Sequence, residues 1–397
     1  MDDTPDGTAG GLAAAFGRLR HQSQILAATP QSDVVDALGE MAARWRDVDY
    51  PLRREAEGWT DPFPWTMVRV SLDALLDSLR PEGLWALVDA EDVRDIRGGG
   101  VVGHVVAANT PLLAWVSVIR ALLVRRASLV KLPSGPAARW GRMLGRALAE
   151  VSPPLAGCVH MAQWPGGTRE QDAALCAGAD LVVAHGGDAT ISALRALCPA
   201  LMPFVGYGHR VSFGLVARGA GTPEAAAGLA RDVLLFDQGG CLSPQTVFVE
   251  GGWPDALAFS ERLAGALAQT VPLFPLPVRA VRAPMAVREA RALAYMGGGC
   301  RLWEDGGLRW TVIARPTPMF AASPTFGVVS VQPLEALADL PAALAPVAHA
   351  LQGCAVAGTP DDYVPGVPYL CAPGELQAPP LSWRQDGRDV LRSLAAV

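Results

Sequence analysis

Cys241 ends the stretch Asp237-Gln238-Gly239-Gly240-Cys241, which lies between a segment that reads as a helix and one that reads as a strand. Glycines at such a place let a ligand come close to the backbone and leave N–H groups for a developing oxyanion. A thiol there can be exposed and have its pKa lowered, the two conditions for a nucleophilic cysteine. The competing reading is a small buried hydrophobe. Asn109 stands where an apolar run gives way to a helix start, so its amide can donate to an oxyanion or simply cap a turn. Lys131, followed by Leu132-Pro133-Ser134, closes the next apolar run. A lysine at a strand's carboxyl end can hold ribose hydroxyls or a phosphate, and one on an open surface is merely solvated. Gly186-Gly187-Asp188-Ala189-Thr190 is a glycine turn entering a helix, whose N–H groups and dipole favour a pyrophosphate. It is not GxGxxG, and Asp188 there also suits a plain N-cap.

These residues need a scaffold, and the hydrophobic pattern supplies one. Residues 1–97 read as mainly helical, over 33–45 and 71–79 for example, and Gly98-Gly99-Gly100 is a flexible turn. Residues 101–108 are β-branched and almost unbroken in apolarity, as in a buried parallel strand. Thr110 then serves as N-cap and Pro111 suits the first helical turn. Strands follow at 128–132, 158–163 and 180–185, with helices at 137–151 and 189–197. Repeated βα units imply a mostly parallel sheet that binds ligands beyond the carboxyl ends of its strands. A second α/β unit begins near Val205, with strands at 211–216 and 245–250 and helices at 223–235 and 255–268. The expected division is a helical segment 1–97, a dinucleotide-binding domain 98–204, a catalytic domain 205–350 carrying Cys241, and a segment 351–397 that returns to the core or contacts another subunit.

Composition limits the function. With 397 residues, 50% hydrophobic and 18% charged, the chain can bury a large core. A net charge of -6 argues against a nucleic-acid binder. The acidic start Met1-Asp2-Asp3 lacks a signal-peptide pattern, and the apolar stretch 111–124 is interrupted by Arg120 and too short to span a bilayer. Seven scattered cysteines without a CxxC pair fit a reducing compartment, and six histidines show no metal-binding spacing. The expectation is a cytoplasmic, metal-free protein.

Several stretches together resemble a known family. They are His104-Val105-Val106-Ala107-Ala108-Asn109-Thr110-Pro111, Leu129-Val130-Lys131-Leu132-Pro133-Ser134, Val183-Ala184-His185-Gly186-Gly187-Asp188, Gly206-Tyr207-Gly208-His209-Arg210-Val211-Ser212-Phe213, and Asp232-Val233-Leu234-Leu235-Phe236-Asp237-Gln238-Gly239-Gly240-Cys241-Leu242-Ser243-Pro244-Gln245. In this order they resemble the aldehyde dehydrogenase superfamily, and within it the LuxC-type acyl-CoA reductases of bacterial luminescence. The tail Pro379-Pro380-Leu381-Ser382-Trp383 to Asp386-Gly387 looks similar too, so the resemblance covers residue 100 to the end.

The resemblance implies an α/β, aldehyde dehydrogenase-like fold, with a parallel-sheet Rossmann-like cofactor domain and an α/β catalytic domain. It places Cys241 on the nucleophile, Asn109 on the oxyanion-hole amide and Lys131 on the lysine holding the adenine ribose. Gly186, Gly187 and Thr190 fall where the cofactor's phosphates meet a helix. Two family glutamates are missing. One, a base that activates water, would fall in Gly206-Tyr207-Gly208-His209-Arg210; the other, a ribose ligand, would fall near Pro324. Without the base, hydrolysis of an acyl enzyme is slow and thiol exchange wins. Ser134 stands where relatives that prefer NAD carry a glutamate, and a neutral residue there removes repulsion against a 2′-phosphate, so NADPH is the expected cofactor. The implied substrate is a fatty acyl-CoA or acyl-protein thioester, with an acyl-protein synthetase subunit as a partner and a homo-oligomer as the assembly. His209 is a candidate proton donor, whereas Asp237 and Gln238 more naturally shape the loop. The alternatives are an acyl-phosphate reductase of the same superfamily and an inactive nucleotide- or partner-binding scaffold.

Overall fold

The computed structural model describes residues 7–94, 96, 98–275, 279, 281–358, 364 and 366–395. The acidic residues 1–6 and the start of the Pro- and Gly-rich tail at 359–363 lie outside them. The chain divides into two compact units. One comprises Met1–His209 with Pro380–Arg384 and Arg388–Val397, the other Arg210–Pro379 with Gln385–Gly387.

In the first unit, helices α1 (Ala9–Ala28), α2 (Gln31–Arg46), α3 (Pro51–Glu57), α4 (Trp65–Ser78) and α5 (Pro81–Ala90) precede the sheet. The βα run is then β1 (Val101–Val105), α6 (Leu113–Leu123), β2 (Ala127–Leu132), α7 (Ala138–Val151), α8 (Pro153–Gly157), β3 (Val159–Gln163), α9 (Arg169–Gly178), β4 (Leu181–His185), α10 (Asp188–Leu197) and β5 (Phe204–Tyr207). All strands pair in parallel in the order β3-β2-β1-β4-β5. β1, β2 and β4 are buried along their whole length, which explains their unbroken apolar runs. Gly103 is where α9 presses on the sheet: a Cβ there would lie 2.9 Å from Leu175 Cδ2. On the helical side Trp45, Trp115 and Trp140 are buried together, and Trp115 Nε1 donates to the Trp140 carbonyl at 2.7 Å.

Two sequence expectations shift here. β1 stops at Val105, and α6 begins at Leu113 after a turn, without a side-chain cap. Thr110 therefore does not cap the helix: the turn at 111–112 buries Leu112 first, and helical geometry starts after it. Val205, expected to open the second unit, lies in β5 and pairs with Val183 of β4. The glycine-rich segment that follows, not the apolar run itself, ends the first sheet.

The second unit contains β6 (Val211–Val216), α11 (Pro223–Leu234), β7 (Pro244–Glu250), α12 (Trp253–Thr270), α13 (Arg282–Met296), β8 (Arg301–Glu304), β9 (Thr311–Ala314), β10 (Val328–Leu334), α14 (Leu340–Leu344), β11 (Leu351–Ala357) and β12 (Tyr369–Cys371); a short α15 (Arg392–Ala395) belongs to the first unit. Its sheet runs β12-β11-β6-β7-β10-β9-β8, parallel except for β8. Thr222 caps α11 through the Ala225 N–H and Pro223 opens its first turn. Phe213 and Phe248 pack edge-to-face at 6.0 Å beneath α14.

The C-terminal stretch is fastened to the first unit by charged groups. Arg120 of α6, only 4% exposed, donates to the Leu381 carbonyl at 2.8 Å. The Glu91 carboxylate accepts from the N–H groups of Val390, Leu391 and Arg392. Among the described residues no helix is long and apolar enough to cross a membrane.

Candidate active site

Cys241 is set by the connection between α11 and β7. After Leu234 the chain makes a tight turn in which Phe236, Asp237 and Gln238 all take left-handed φ values of 53°, 55° and 61°. Non-glycine residues held there cost of order 1–3 kcal/mol each and persist only where the surroundings impose them. The surroundings do so. Arg279 grips the Asp237 carboxylate with two nitrogens. Gln238, 2% exposed, has its whole amide engaged: Nε2 donates to the Pro244 and Val328 carbonyls, both at 2.9 Å, and Oε1 accepts from the Gly327 N–H at 3.0 Å and from Ser323 Oγ at 3.3 Å. Pro324 thus belongs to a turn, 323–327, that braces this loop through Ser323 and Gly327. Gly240 has no room for a side chain, since a Cβ would lie 2.8 Å from Gln377 Oε1 while Gln377 Nε2 donates to Ser243 Oγ. Ser212 Oγ of β6 donates to the Cys241 carbonyl at 2.8 Å, pinning the turn to the sheet.

The thiol is half-buried. Its pKa is not lowered, as the loop suggested, but pushed up to about 11. Burial is the main cause and the Asp386 charge adds to it; the N–H groups of Cys241 and Leu242 and the Arg210 guanidinium act in the opposite direction without prevailing. Arg210 and Asp386 form an ion pair at 2.6 Å. At neutral pH the resting sulfur therefore carries its proton.

The cofactor candidates lie in the first unit. One rung of its sheet joins Lys131 of β2, Val105 of β1, Ala184 of β4 and Gly206 of β5. Lys131, Asn109 beyond β1 and Gly186 beyond β4 therefore share the carboxyl edge. Asn109 sits exposed in the bend before α6. Lys131 is 7% exposed, lies 5.4 Å over the Trp164 ring, and has its pKa lowered by burial. Asp172 acts on it electrostatically, but makes no ion pair with it and accepts from Trp164 Nε1 at 2.8 Å. Ser134 and Thr190 are exposed.

α10 starts at Asp188 with Gly187 as its cap residue and no side-chain cap bond. Asp188 is therefore not an N-cap; its Oδ1 accepts the His209 N–H at 2.8 Å, which ties the 206–210 segment to the helix start. Gly186 N–H donates to the Tyr207 carbonyl, and the Tyr207 ring stacks on His185 at 4.7 Å. Among the described residues Lys131 makes no ion pair and α10 starts without a side-chain cap, and both features are chemically compatible with the phosphates of a nicotinamide dinucleotide.

The structure has the architecture of the aldehyde dehydrogenases. It matches an NAD-dependent benzaldehyde dehydrogenase from Corynebacterium glutamicum with a TM-score of 0.72 and 16% identity over 92% of this chain and 86% of that one. The Delta-pyrroline-5-carboxylate dehydrogenase from Mycobacterium tuberculosis gives 0.67 and 14% over 94% and 76%. Within that architecture the chain belongs to the acyl-CoA reductase (LuxC) family, whose match covers residues 26–374.

Among curated relatives, a long-chain acyl-protein thioester reductase from Vibrio harveyi is 28% identical over 37% of this chain and 31% of its own length. Another of that name, from Photorhabdus laumondii, is 23% identical over 55% and 50%. The matched stretches thus span a third to a half of those relatives. The family match also begins well before residue 100 and stops at 374, short of the tail stretch 379–387 that looked similar in sequence.

Sequence reasoning did not connect Arg210 and Asp386 to Cys241. The segment 206–210 has no carboxylate of its own, and the one beside it comes from 176 residues further along the chain. No local spacing signals such a pair.

Proposed function

We propose that this chain reduces a long-chain acyl thioester, presented on CoA or on a partner protein, to the aldehyde, with the acyl group held on Cys241 and NADPH as reductant. The observation that carries this reading is the partly buried Cys241 just after a braced, left-handed turn, in a chain of the acyl-CoA reductase family. The names of the curated relatives support the substrate class.

Cys241 Sγ attacks the thioester carbonyl. The Cys241 N–H and the Asn109 amide are assigned to the oxyanion, where each such donor is typically worth about 3 kcal/mol. The donor's sulfur departs as its thiol, leaving an acyl-Cys241. NADPH, when bound, supplies the hydride that takes this acyl group to the aldehyde level. Lys131, Gly186, Gly187 and Thr190 are the residues that would hold its ribose and phosphates, with Ser134 leaving space for a 2′-phosphate that Lys131 would pair. Because 206–210 carries no acid side chain to activate water, thiol exchange outruns hydrolysis. An acyl-protein synthetase as donor, self-association and a cytoplasmic setting complete the proposal.

Cys241→Ala should abolish NADPH oxidation with a long-chain acyl-CoA while the protein stays folded and still binds NADPH. A variant that keeps a tenth of the wild-type rate would show that the reaction does not pass through this sulfur.

A further inference from the structure

A protonated thiol cannot complete an acyl transfer unless its proton goes somewhere, and the second unit holds one group suited to take it. Arg210 immediately precedes β6, and Ser212, two residues on, donates to the Cys241 carbonyl. Arg210 and the nucleophile's turn are therefore adjacent. Arg210 Nη2 binds Asp386 Oδ2 at 2.6 Å. The Asp386 side chain is 4% exposed, yet its other oxygen, Oδ1, is buried and has no hydrogen-bond partner among the described residues. Leaving a carboxylate oxygen unsatisfied in this way is costly, so such a group calls for a specific explanation. The backbone adds to the cost: Asp386 is left-handed, at φ 55°. Its charge also reaches the sulfur, where it opposes ionisation of the thiol. Asp386 lies beyond the stretch matched by the family.

We propose that Asp386 is the proton acceptor for Cys241 during acyl transfer, with Arg210 holding one carboxylate oxygen and leaving the other for the proton of the thiol. This rests on Cys241 being the acyl acceptor. As the Sγ–acyl carbon bond forms and the donor's carbon–sulfur bond breaks, the proton passes from Sγ to Asp386 Oδ1 and then to the departing thiolate. The two sulfurs exchange the acyl group, nothing is oxidised or reduced, and Asp386 returns to its starting state. Proton transfer of this kind contributes about 10²–10⁴-fold.

The test compares two reactions of the same sulfur in wild type, Asp386→Asn and Asp386→Glu. Acylation by a long-chain acyl-CoA without reductant is followed by intact mass, and alkylation by iodoacetamide is timed in parallel. Removing the charge eases ionisation of the thiol, so D386N should be alkylated at least as fast as wild type. Its acylation should nevertheless fall 100-fold or more, with D386E recovering to within tenfold of wild type. D386N acylation within threefold of wild type overturns the inference, and so does a parallel loss of both reactions in a folded variant. Release of free fatty acid by wild type as fast as it acylates would assign Asp386 to activating water, and also overturns it. Should D386N fail to fold, D386E decides: acylation within tenfold supports the role, and a folded, alkylatable D386E slowed 100-fold contradicts it. A wild-type protein that never forms the adduct removes Cys241 as acyl acceptor, and this inference with it. Adduct formation with an unaffected D386N removes this inference alone.

Discussion

His104 lies in the middle of β1 with no exposure, its ring nitrogens 2.7 Å from Ser117 Oγ and 3.1 Å from Ser128 Oγ. Burial pushes its pKa down to about 3, and His185 on the neighbouring β4 is held down to about 3 mainly by burial, with the nearby His104 and Arg120 acting in the same direction. Both rings are neutral structural groups in the folded chain. Between roughly pH 6.5 and 3 the unfolded chain binds protons that the folded chain refuses, so stability falls as pH drops through that window, by roughly 1 kcal/mol per pH unit for each histidine. His104→Asn should flatten the fall, measured by urea unfolding between pH 6.5 and 4.5; an unchanged slope would mean that His104 does not resist protonation. The same scale shows what the sequence made legible. Cys241 was readable because two glycines announce it locally. Its pKa was not, because the burial and the Asp386 charge that raise it come from residues far along the chain.

The connection between α11 and β7 does more than join two elements. Three left-handed residues in a row give the chain the curvature that presents Gly240 and Cys241, and Gln238 spends all four of its hydrogen bonds holding that shape. Gln238→Leu keeps the volume but removes the amide from the Pro244 carbonyl and the Gly327 N–H, while the Val328 carbonyl keeps the Ser323 hydroxyl. At about 1–3 kcal/mol for a buried group left unsatisfied, the variant should lose roughly 3 kcal/mol or more of stability, read from denaturant midpoints. A loss under 1 kcal/mol would mean that the amide is not what fixes the turn. Sequence alone favoured a shaping role for Asp237 and Gln238 but gave no sign of the turn at 323–327 that meets them, since that pairing spans some 90 residues. The helices and strands around it were readable from their periodicity: β6 coincides with the expected run, and α11 and β7 differ from theirs by one residue at one end.

Across the whole molecule, two mainly parallel sheets are built from βα units whose apolar runs could be seen directly. Their membership could not. The second unit was expected to begin near Val205, yet Val205 lies in β5, which completes the first sheet. β11 lies beside β6, more than a hundred residues earlier in the chain, with β12 on its other side, and the tail returns to Arg120 and Glu91 through backbone groups that carry no sequence signature.

What the account requires of the intact protein is an acyl group resting on one sulfur. The most direct measurement is peptide-resolved mass spectrometry after incubation with a long-chain acyl-CoA and no reductant. The expected result is a single acyl adduct on the peptide bearing Cys241, discharged as aldehyde when NADPH is added. Aldehyde formation with that peptide unmodified throughout, or an adduct only on another cysteine, would contradict it.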